Sequence, residues 1–347
     1  MNFPTTLPQS RLGDPMQAPA IRWGLLGTGW IAQQFVRSAT AHTQQIFSAV
    51  GSRNLDSARR FADAEGVPRA HGSYEDLVND PDVDVIYVAT PHNFHHEHVL
   101  LALNAGKHVL VEKPMGLNHA QASEMVSLAR DKGLFFAEAL WSYFLPKFDV
   151  IAQLLDDGVL GEISATYTDF GEYLPPDHRL FDARLAGGPL LDLGTYPVSL
   201  ITRMMGAPDD IAGFGIDDPA GVNGQIALAM RHKTGLSTLG TTPYGFTPTN
   251  AAVVGRQATL RFTTEVYLPG GFSLHNQAND SVLTYEERTG RHFEGLFWEA
   301  AEVARCISKG QTETACRPLD ESLMGMATLD HIRRVLGIDF AQAGLVE

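Results

Sequence analysis

The chain has 347 residues, a formal charge of −14 and two cysteines, Cys306 and Cys316. That length suits two domains, the acidity argues against a nucleic-acid surface, and two cysteines give neither a disulfide framework nor a zinc cluster. No apolar run is long enough to span a bilayer and Met1–Ala20 has no secretory hydrophobic stretch, so no membrane partner and a reducing cytoplasm are expected.

Met1–Ala20 carries Pro4, Pro8, Pro15 and Pro19. It reads either as a flexible leader or as an arm that wraps a neighbouring subunit. From there strand and helix alternate. Ile21–Leu26 is an apolar strand, Trp30–Ala41 a helix, Gln45–Ser52 a strand, and Leu55–Glu65 a helix ended by Gly66. Ser73 is placed as the N-cap of a short helix, with Asp76 three residues on. Val83–Ala89 is mostly apolar and rich in β-branched residues, as expected of a strand buried on both faces. His95–Ala105, Asn118–Lys132 and the strands His108–Val111 and Leu134–Ala137 continue the pattern.

The pattern changes near Trp141. Pro146–Asp157 reads as a helix, Ile163–Phe170 as a strand, and Gly194–Met205 as a buried helix. From Ile211 to about Tyr285 strands follow one another through Gly, Asn and Asp turns, and Gly295–Lys309 and Glu321–Leu336 are closing helices. The fold class is therefore α/β: an N-terminal Rossmann domain with a doubly wound parallel sheet, then an α/β domain with a mainly antiparallel, open sheet. The expected boundaries are a flexible extension over 1–20, a dinucleotide domain over 21–140, and a substrate and oligomerisation domain over 141–347.

Gly27-Thr28-Gly29-Trp30-Ile31-Ala32 fits G-x-G-x-x-A. Gly27 permits the tight turn, Gly29 lets a pyrophosphate approach the backbone, and Ala32 lets the helix pack close. Gly27, Thr28, Gly29, Trp30 and Ile31 are thus expected to touch the cofactor. The second strand ends at Gly51-Ser52-Arg53-Asn54, without the acid that holds a ribose 2′-hydroxyl in NAD enzymes. Ser52 and Arg53 suit a 2′-phosphate, so NADP is expected over NAD; the bland alternative is an Arg53 solvated at a loop edge. Thr90 and Pro91 close the buried strand on its carboxyl side, where loops face a cofactor, and His95 follows them.

Lys113 ends the strand His108–Val111 between Glu112 and Pro114. Its ammonium there can stabilise developing oxyanion charge, and Glu112 and Lys113 join the expected cofactor contacts. Asp192 and Tyr196 are four residues apart and share a face if the segment is helical. Alone they read as a helix cap and a core aromatic. His92, His95, His96 and His98 lack H-E-x-x-H spacing and a completing ligand, so no metal is expected.

Gly27-x-Gly29-x-x-Ala32, the run Ala105–Pro114 and Asp192-x-Gly194-x-Tyr196 together resemble the glucose–fructose oxidoreductase, inositol dehydrogenase and rhizopine-catabolism (Gfo/Idh/MocA) family. The resemblance runs from about Ile21 onward. It implies a catalytic lysine at Lys113 and a sugar-holding aspartate at Asp192. Many members carry histidine where Tyr196 stands. The tyrosine, with Glu138–Ser142 and Phe170-Gly171, resembles the dihydrodiol dehydrogenase and NADP-dependent xylose dehydrogenase branch. The implied chemistry is NADP-dependent hydride transfer to or from a sugar, polyol or dihydrodiol, with Tyr196 as acid/base and Trp141 and Phe170 as flat walls or plain core. A free phenol has a pKa near ~10, and a nearby Lys113 ammonium would lower it. Alternatives are a sugar–sugar oxidoreductase with tightly held NADP and a nucleotide-sensing regulator. The resemblance also implies a homo-oligomer, a dimer or tetramer, built on the open sheet face.

Overall fold

The computed structural model describes residues 3–287 and 294–340. Met1 and Asn2 of the expected leader, and residues 341–347 of the expected second domain, lie outside the described residues. The chain divides into two compact units, one of residues 13–144 and 292–319, the other of 1–12, 145–291 and 320–347.

The first unit holds strands β1 (Arg22–Leu26), β2 (Ile46–Gly51), β3 (Arg69–His71), β4 (Val85–Val88), β5 (His108–Glu112) and β6 (Phe136–Ala139). They form one parallel sheet in the order β3-β2-β1-β4-β5-β6. Its helices are α1 (Trp30–His42), α2 (Leu55–Glu65), α3 (Tyr74–Val78), α4 (His95–Asn104) and α5 (His119–Lys132). The order reverses between β1 and β4, and such a switch point opens a crevice at the carboxyl edge of the sheet. The core begins on β1. Trp23 is wholly buried, packs edge-on to Phe35 at 5.2 Å, and donates its indole N–H to Gln45 at 3.0 Å. Phe35 in turn stacks on Tyr87 at 4.1 Å. Each such ring contributes roughly 2–3 kcal/mol by leaving water.

The second unit adds α6 (Pro146–Asp156), β7 (Ile163–Gly171), α7 (Pro189–Asp192) and α8 (Thr195–Met205). Strands β8 (Asp210–Asp217), β9 (Asn223–Arg231), β10 (Leu236–Thr242), β11 (Ala251–Gly255), β12 (Ala258–Phe262), β13 (Gly271–Asn276) and β14 (Val282–Glu286) follow. The eight-stranded sheet runs β14-β13-β12-β11-β7-β10-β9-β8. Every pair is antiparallel except β7 with β10. Helix α8 covers one face of β7 and β10 with a largely apolar surface.

Helix α9 (Phe297–Ser308) returns to the first unit, where Phe297 N–H donates to Ser38 Oγ at 3.1 Å and its ring lies 4.4 Å from His42. Helix α10 (Leu319–Leu336) belongs to the second unit from Asp320 on. The proline-bearing stretch before β1 makes defined contacts. Arg11 grips Asp149 with two side-chain bonds of 3.0 and 2.8 Å within the second unit. Arg305 donates to the carbonyls of Gly13 and Asp14 within the first. Two arginines thus tie down a segment that composition alone describes as a flexible leader.

Candidate active site

In the first unit the chemistry-bearing residues follow the carboxyl ends of β1, β2, β4 and β5. At the end of β1, Gly27 has φ +114°, and a Cβ there would meet the Ala89 carbonyl at 2.8 Å. Only glycine closes this turn against β4. Gly29 precedes α1 with no side-chain cap, and a Cβ on it would meet one atom, the Ala89 carbonyl at 3.9 Å. The helix start faces open space and has no capping side chain, which fits an anion seated on backbone N–H groups. Trp30 is 58% exposed beside it, with Thr28 and Ile31 half-buried.

After β2, Ser52 is half-buried and Arg53 is exposed. Asn54 is occupied as the N-cap of α2, accepting from the amides of Asp56 and Ser57. Arg53 lies 5.8 Å from the Phe94 ring. No carboxylate pairs with Arg53 among the described residues. After β4, Thr90 Oγ1 bonds His98 Nδ1 at 2.9 Å, and burial, helped by the Arg53 charge, pushes the His98 imidazole down to about 4. Pro91 precedes a short turn, His92–Phe94, that leads into α4.

His95 is buried and its two ring nitrogens reach backbone carbonyls, Nδ1 to Pro114 at 2.8 Å and Nε2 to Thr90 at 2.8 Å. It thereby ties the loop after β4 to the loop after β5. Lys113, half-buried, sits in that second loop. Its amide donates to Glu112 Oε2 at 3.1 Å, and the other oxygen of this buried carboxylate accepts from the Tyr87 hydroxyl. One turn further, the Met115 amide donates to Glu138 at 3.2 Å, and Glu138 pairs with Arg317 at 3.3 Å, both buried. The lysine backbone is fixed on both sides by buried acids. Trp141 is 3% exposed in the turn Trp141–Phe144 of this same unit.

In the second unit, Asp192 is the last residue of α7 and Tyr196 the second of α8. The single helix that would align them on one face does not form. The chain turns at Leu193-Gly194, where a Cβ on Gly194 would meet the Leu190 carbonyl at 2.6 Å. Asp192 is buried and accepts from Arg179 Nη2 at 2.9 Å. Tyr196 stands in an aromatic nest, 5.5 Å from Phe170 and 5.4 Å from Tyr267, while Phe170 and Tyr267 stack at 4.5 Å. Burial first, then Glu172 and Glu265, holds the Tyr267 phenol well above its ordinary range.

Arg179 and Tyr267 carry no signal in the sequence that marks them as site residues. No local motif marks either, since their partners lie 13 and 71 positions away along the chain (192 − 179 and 267 − 196). Nearby, Arg184 is exposed and paired with Asp182 at 2.7 Å, and His178 caps the turn Arg179–Phe181. No group of three or more His, Cys, Asp or Glu with metal-holding geometry occurs among the described residues. No described helix is long and apolar enough to cross a membrane.

Comparison with known proteins agrees with this layout. Residues 21–139 match the oxidoreductase family with an NAD-binding Rossmann fold, and residues 148–261 match the GFO/IDH/MocA C-terminal domain. A trans-1,2-dihydrobenzene-1,2-diol dehydrogenase from Bos taurus is 34% identical over 334 residues, covering 93% of this chain and 99% of the relative. The 3-ketoreductase KijD10 from Actinomadura kijaniata, solved with NADP and TDP-benzene, superposes with a TM-score of 0.77 at 26% identity, covering 92% of this chain and 98% of that one. Levoglucosan dehydrogenase, solved with NADH and levoglucosan, gives a TM-score of 0.81 at 16% identity, with 94% and 98% covered, and shares the fold.

Proposed function

Because the chain belongs to the GFO/IDH/MocA oxidoreductase family, we propose that it is an NADP-dependent dehydrogenase or reductase of a secondary alcohol on a cyclic diol, polyol or sugar. It is an oxidoreductase with a nicotinamide cofactor; the finer assignment to NADP and to this substrate class is our reading. One observation carries it: Lys113, its amide held by buried Glu112, directly follows β5 on the same sheet edge as the Gly27–Gly29 turn.

A bound nicotinamide supplies the hydride donor or acceptor. Gly27, Thr28, Gly29, Trp30 and Ile31 would cradle the pyrophosphate, and Ser52 and Arg53 the ribose 2′-phosphate. Thr90, Pro91 and Lys113 would line the loops toward the reactive ring, with Glu112 and His95 fixing those loops. In catalysis Tyr196 exchanges the proton of the substrate hydroxyl. The Lys113 ammonium supplies a positive charge suited to stabilising a developing oxyanion. Asp192, oriented by Arg179, accepts a hydrogen bond from a neighbouring hydroxyl. Phe170 offers a flat apolar wall in the second unit, and Trp141 another in the first. The trans-diol named for the Bos taurus relative and the sugar named for levoglucosan dehydrogenase both carry hydroxyls on adjacent ring carbons, which suits this set.

We also propose a homo-oligomer, a dimer or tetramer, formed through the outer face of the eight-stranded sheet. Tyr167, Phe214, Ile216 and Leu236 are exposed on strands β7, β8 and β10, among small outward residues such as Ala227 and Ala229. Such a flat apolar face on a sheet suits self-pairing.

The test is a screen of purified protein with NADP and with NAD against dihydrodiols, inositols, pentoses and hexoses. The reading requires a substrate in one of these groups with kcat/KM at least tenfold higher for NADP. Equal or better kcat/KM with NAD ends the NADP assignment, and turnover confined to open-chain alcohols ends the substrate assignment.

A further inference from the structure

Lys147, in the second unit, stands where a cation is least expected. It is the second residue of α6 and wholly buried, at the helix end whose dipole disfavours positive charge. An ammonium in such a place carries a large desolvation penalty unless hydrogen bonds and counter-charge offset it. Its Nζ donates to the Leu268 carbonyl and lies 5.4 Å from the Phe262 ring and 5.7 Å from the Phe148 ring. Burial lowers its pKa to about 8, opposed by the charges of Glu287 and Glu265, so the group is still an ammonium at neutral pH. The Lys147 amide donates to Glu287 Oε2 at 2.9 Å, and Glu287 Oε1 accepts from the Gly270 amide at 3.3 Å.

These bonds converge on one loop, residues 263–270 between β12 and β13. Lys147 holds its carbonyl at Leu268 and Glu287 its amide at Gly270. Tyr267 directly precedes the first anchor. Its ring stacks on Phe170 at 4.5 Å, with the planes 15° apart, and stands 5.4 Å from Tyr196. A charge-assisted bond one residue away therefore fixes the backbone from which Tyr267 projects. Core packing alone does not account for the lysine, because a methionine would fill similar space among Phe148 and Phe262 without a buried charge.

We propose that Lys147 is a positioning residue for the chemistry: by holding the Leu268 carbonyl it seats the Tyr267 ring, which in turn sets the orientation of Tyr196. This rests on the reading of Tyr196 as the acid/base. The test compares wild type, Lys147→Met, Tyr267→Leu, their double variant and Tyr196→Phe by steady-state kinetics on the best cyclic substrate of the screen, by NADPH titration and by crystallography. Lys147→Met should lower kcat about tenfold, within the range for a small displacement of a reacting group. Its Kd for NADPH should stay within twofold, and its crystal structure should show the Tyr267 ring moved off Phe170. Tyr267→Leu should lose a similar factor, and adding Lys147→Met to it should change kcat by less than twofold. A lysine that only stabilises the fold would lower the unfolding temperature and leave kcat alone. Wild-type kcat in Lys147→Met, a Tyr267 ring still stacked on Phe170, or a further tenfold loss in the double variant overturns the proposal. If Lys147→Met does not fold, Glu287→Gln decides: it loosens the Gly270 anchor and should lower kcat about threefold, and only while Tyr267 is present. Near-normal turnover in Tyr196→Phe ends the acid/base reading and this role with it. An inactive Tyr196→Phe beside a fully active Lys147→Met ends the positioning role alone.

Discussion

The two units build their functional residues by opposite means. In the first, the backbone does most of the work: a glycine turn, an uncapped helix start and a lysine whose amide is bound by the preceding carboxylate. In the second, side chains converge from afar. Tyr196 from α8 meets Phe170 from β7 and Tyr267 from the loop after β12, and Asp192 is held by Arg179. A backbone site recognises what cofactors share, and a side-chain site can be rebuilt for each substrate. The family resemblance is accordingly informative about the cofactor and coarse about the substrate.

The sharpest test of that division lies in kinetics. Lys113→Met and Tyr196→Phe should each lower kcat by about three orders of magnitude, the range for losing a general acid/base or an oxyanion-stabilising charge. Titrated NADPH should still bind both variants. Near-normal turnover in either removes that residue from the chemistry.

A smaller effect separates substrate from cofactor. Arg179→Met leaves the buried Asp192 without its guanidinium partner. KM for the substrate should rise about tenfold, with KM for the cofactor within a factor of two. Parallel rises in both would mean that the second unit shapes the cofactor site as well.

The third test concerns stability. Glu299 on α9 is wholly buried, and neither carboxyl oxygen has a hydrogen-bond partner among the described residues. Burial, with the charge of Glu112 second, raises its pKa well above the ordinary carboxylate range. Below the unfolded pKa both states carry the proton and the group is silent. Above it the unfolded chain ionises while the folded chain stays protonated. Stability therefore falls as pH rises toward the folded pKa, by about 1.4 kcal/mol per pH unit. Thermal unfolding of Glu299→Gln should match wild type near pH 4 and exceed it by a growing margin toward pH 7. A pH-independent gap would show that Glu299 ionises in the folded state as it does in the unfolded one.

The smallest expected change is in self-association. Phe214→Asp on the exposed sheet face should shift the molecular mass in solution toward that of the single chain, with kcat per site within about twofold. Unaltered mass at micromolar concentration would move the interface elsewhere.

Much of this architecture can be read from the chain without coordinates, because buried parallel strands and helix caps leave strong local marks. The predicted span Leu55–Glu65 coincides with α2, and Ser73 caps α3 as its spacing with Asp76 requires. The errors have physical causes. Strand β3 spans Arg69–His71 with no buried residue, so it carries no apolar signature. Strand β6 begins at Phe136 rather than Leu134, because the Leu134 amide still closes α5 by donating to the Ala129 carbonyl at 3.0 Å. The break at Gly194 is set by close approach to Leu190, which no periodicity encodes. Arg179 and Tyr267 are invisible for the same reason: tertiary packing alone decides which distant loop residue reaches a given side chain.

Helix α9 has a consequence for how the protein is made. The first unit is discontinuous: its sheet and first helices come from residues 13–144, yet α9 packs on α1 only after the whole intervening segment has been translated. A ribosome needs on the order of ten seconds for that stretch. Throughout that interval the face of α1 that α9 covers in the finished chain lacks its partner.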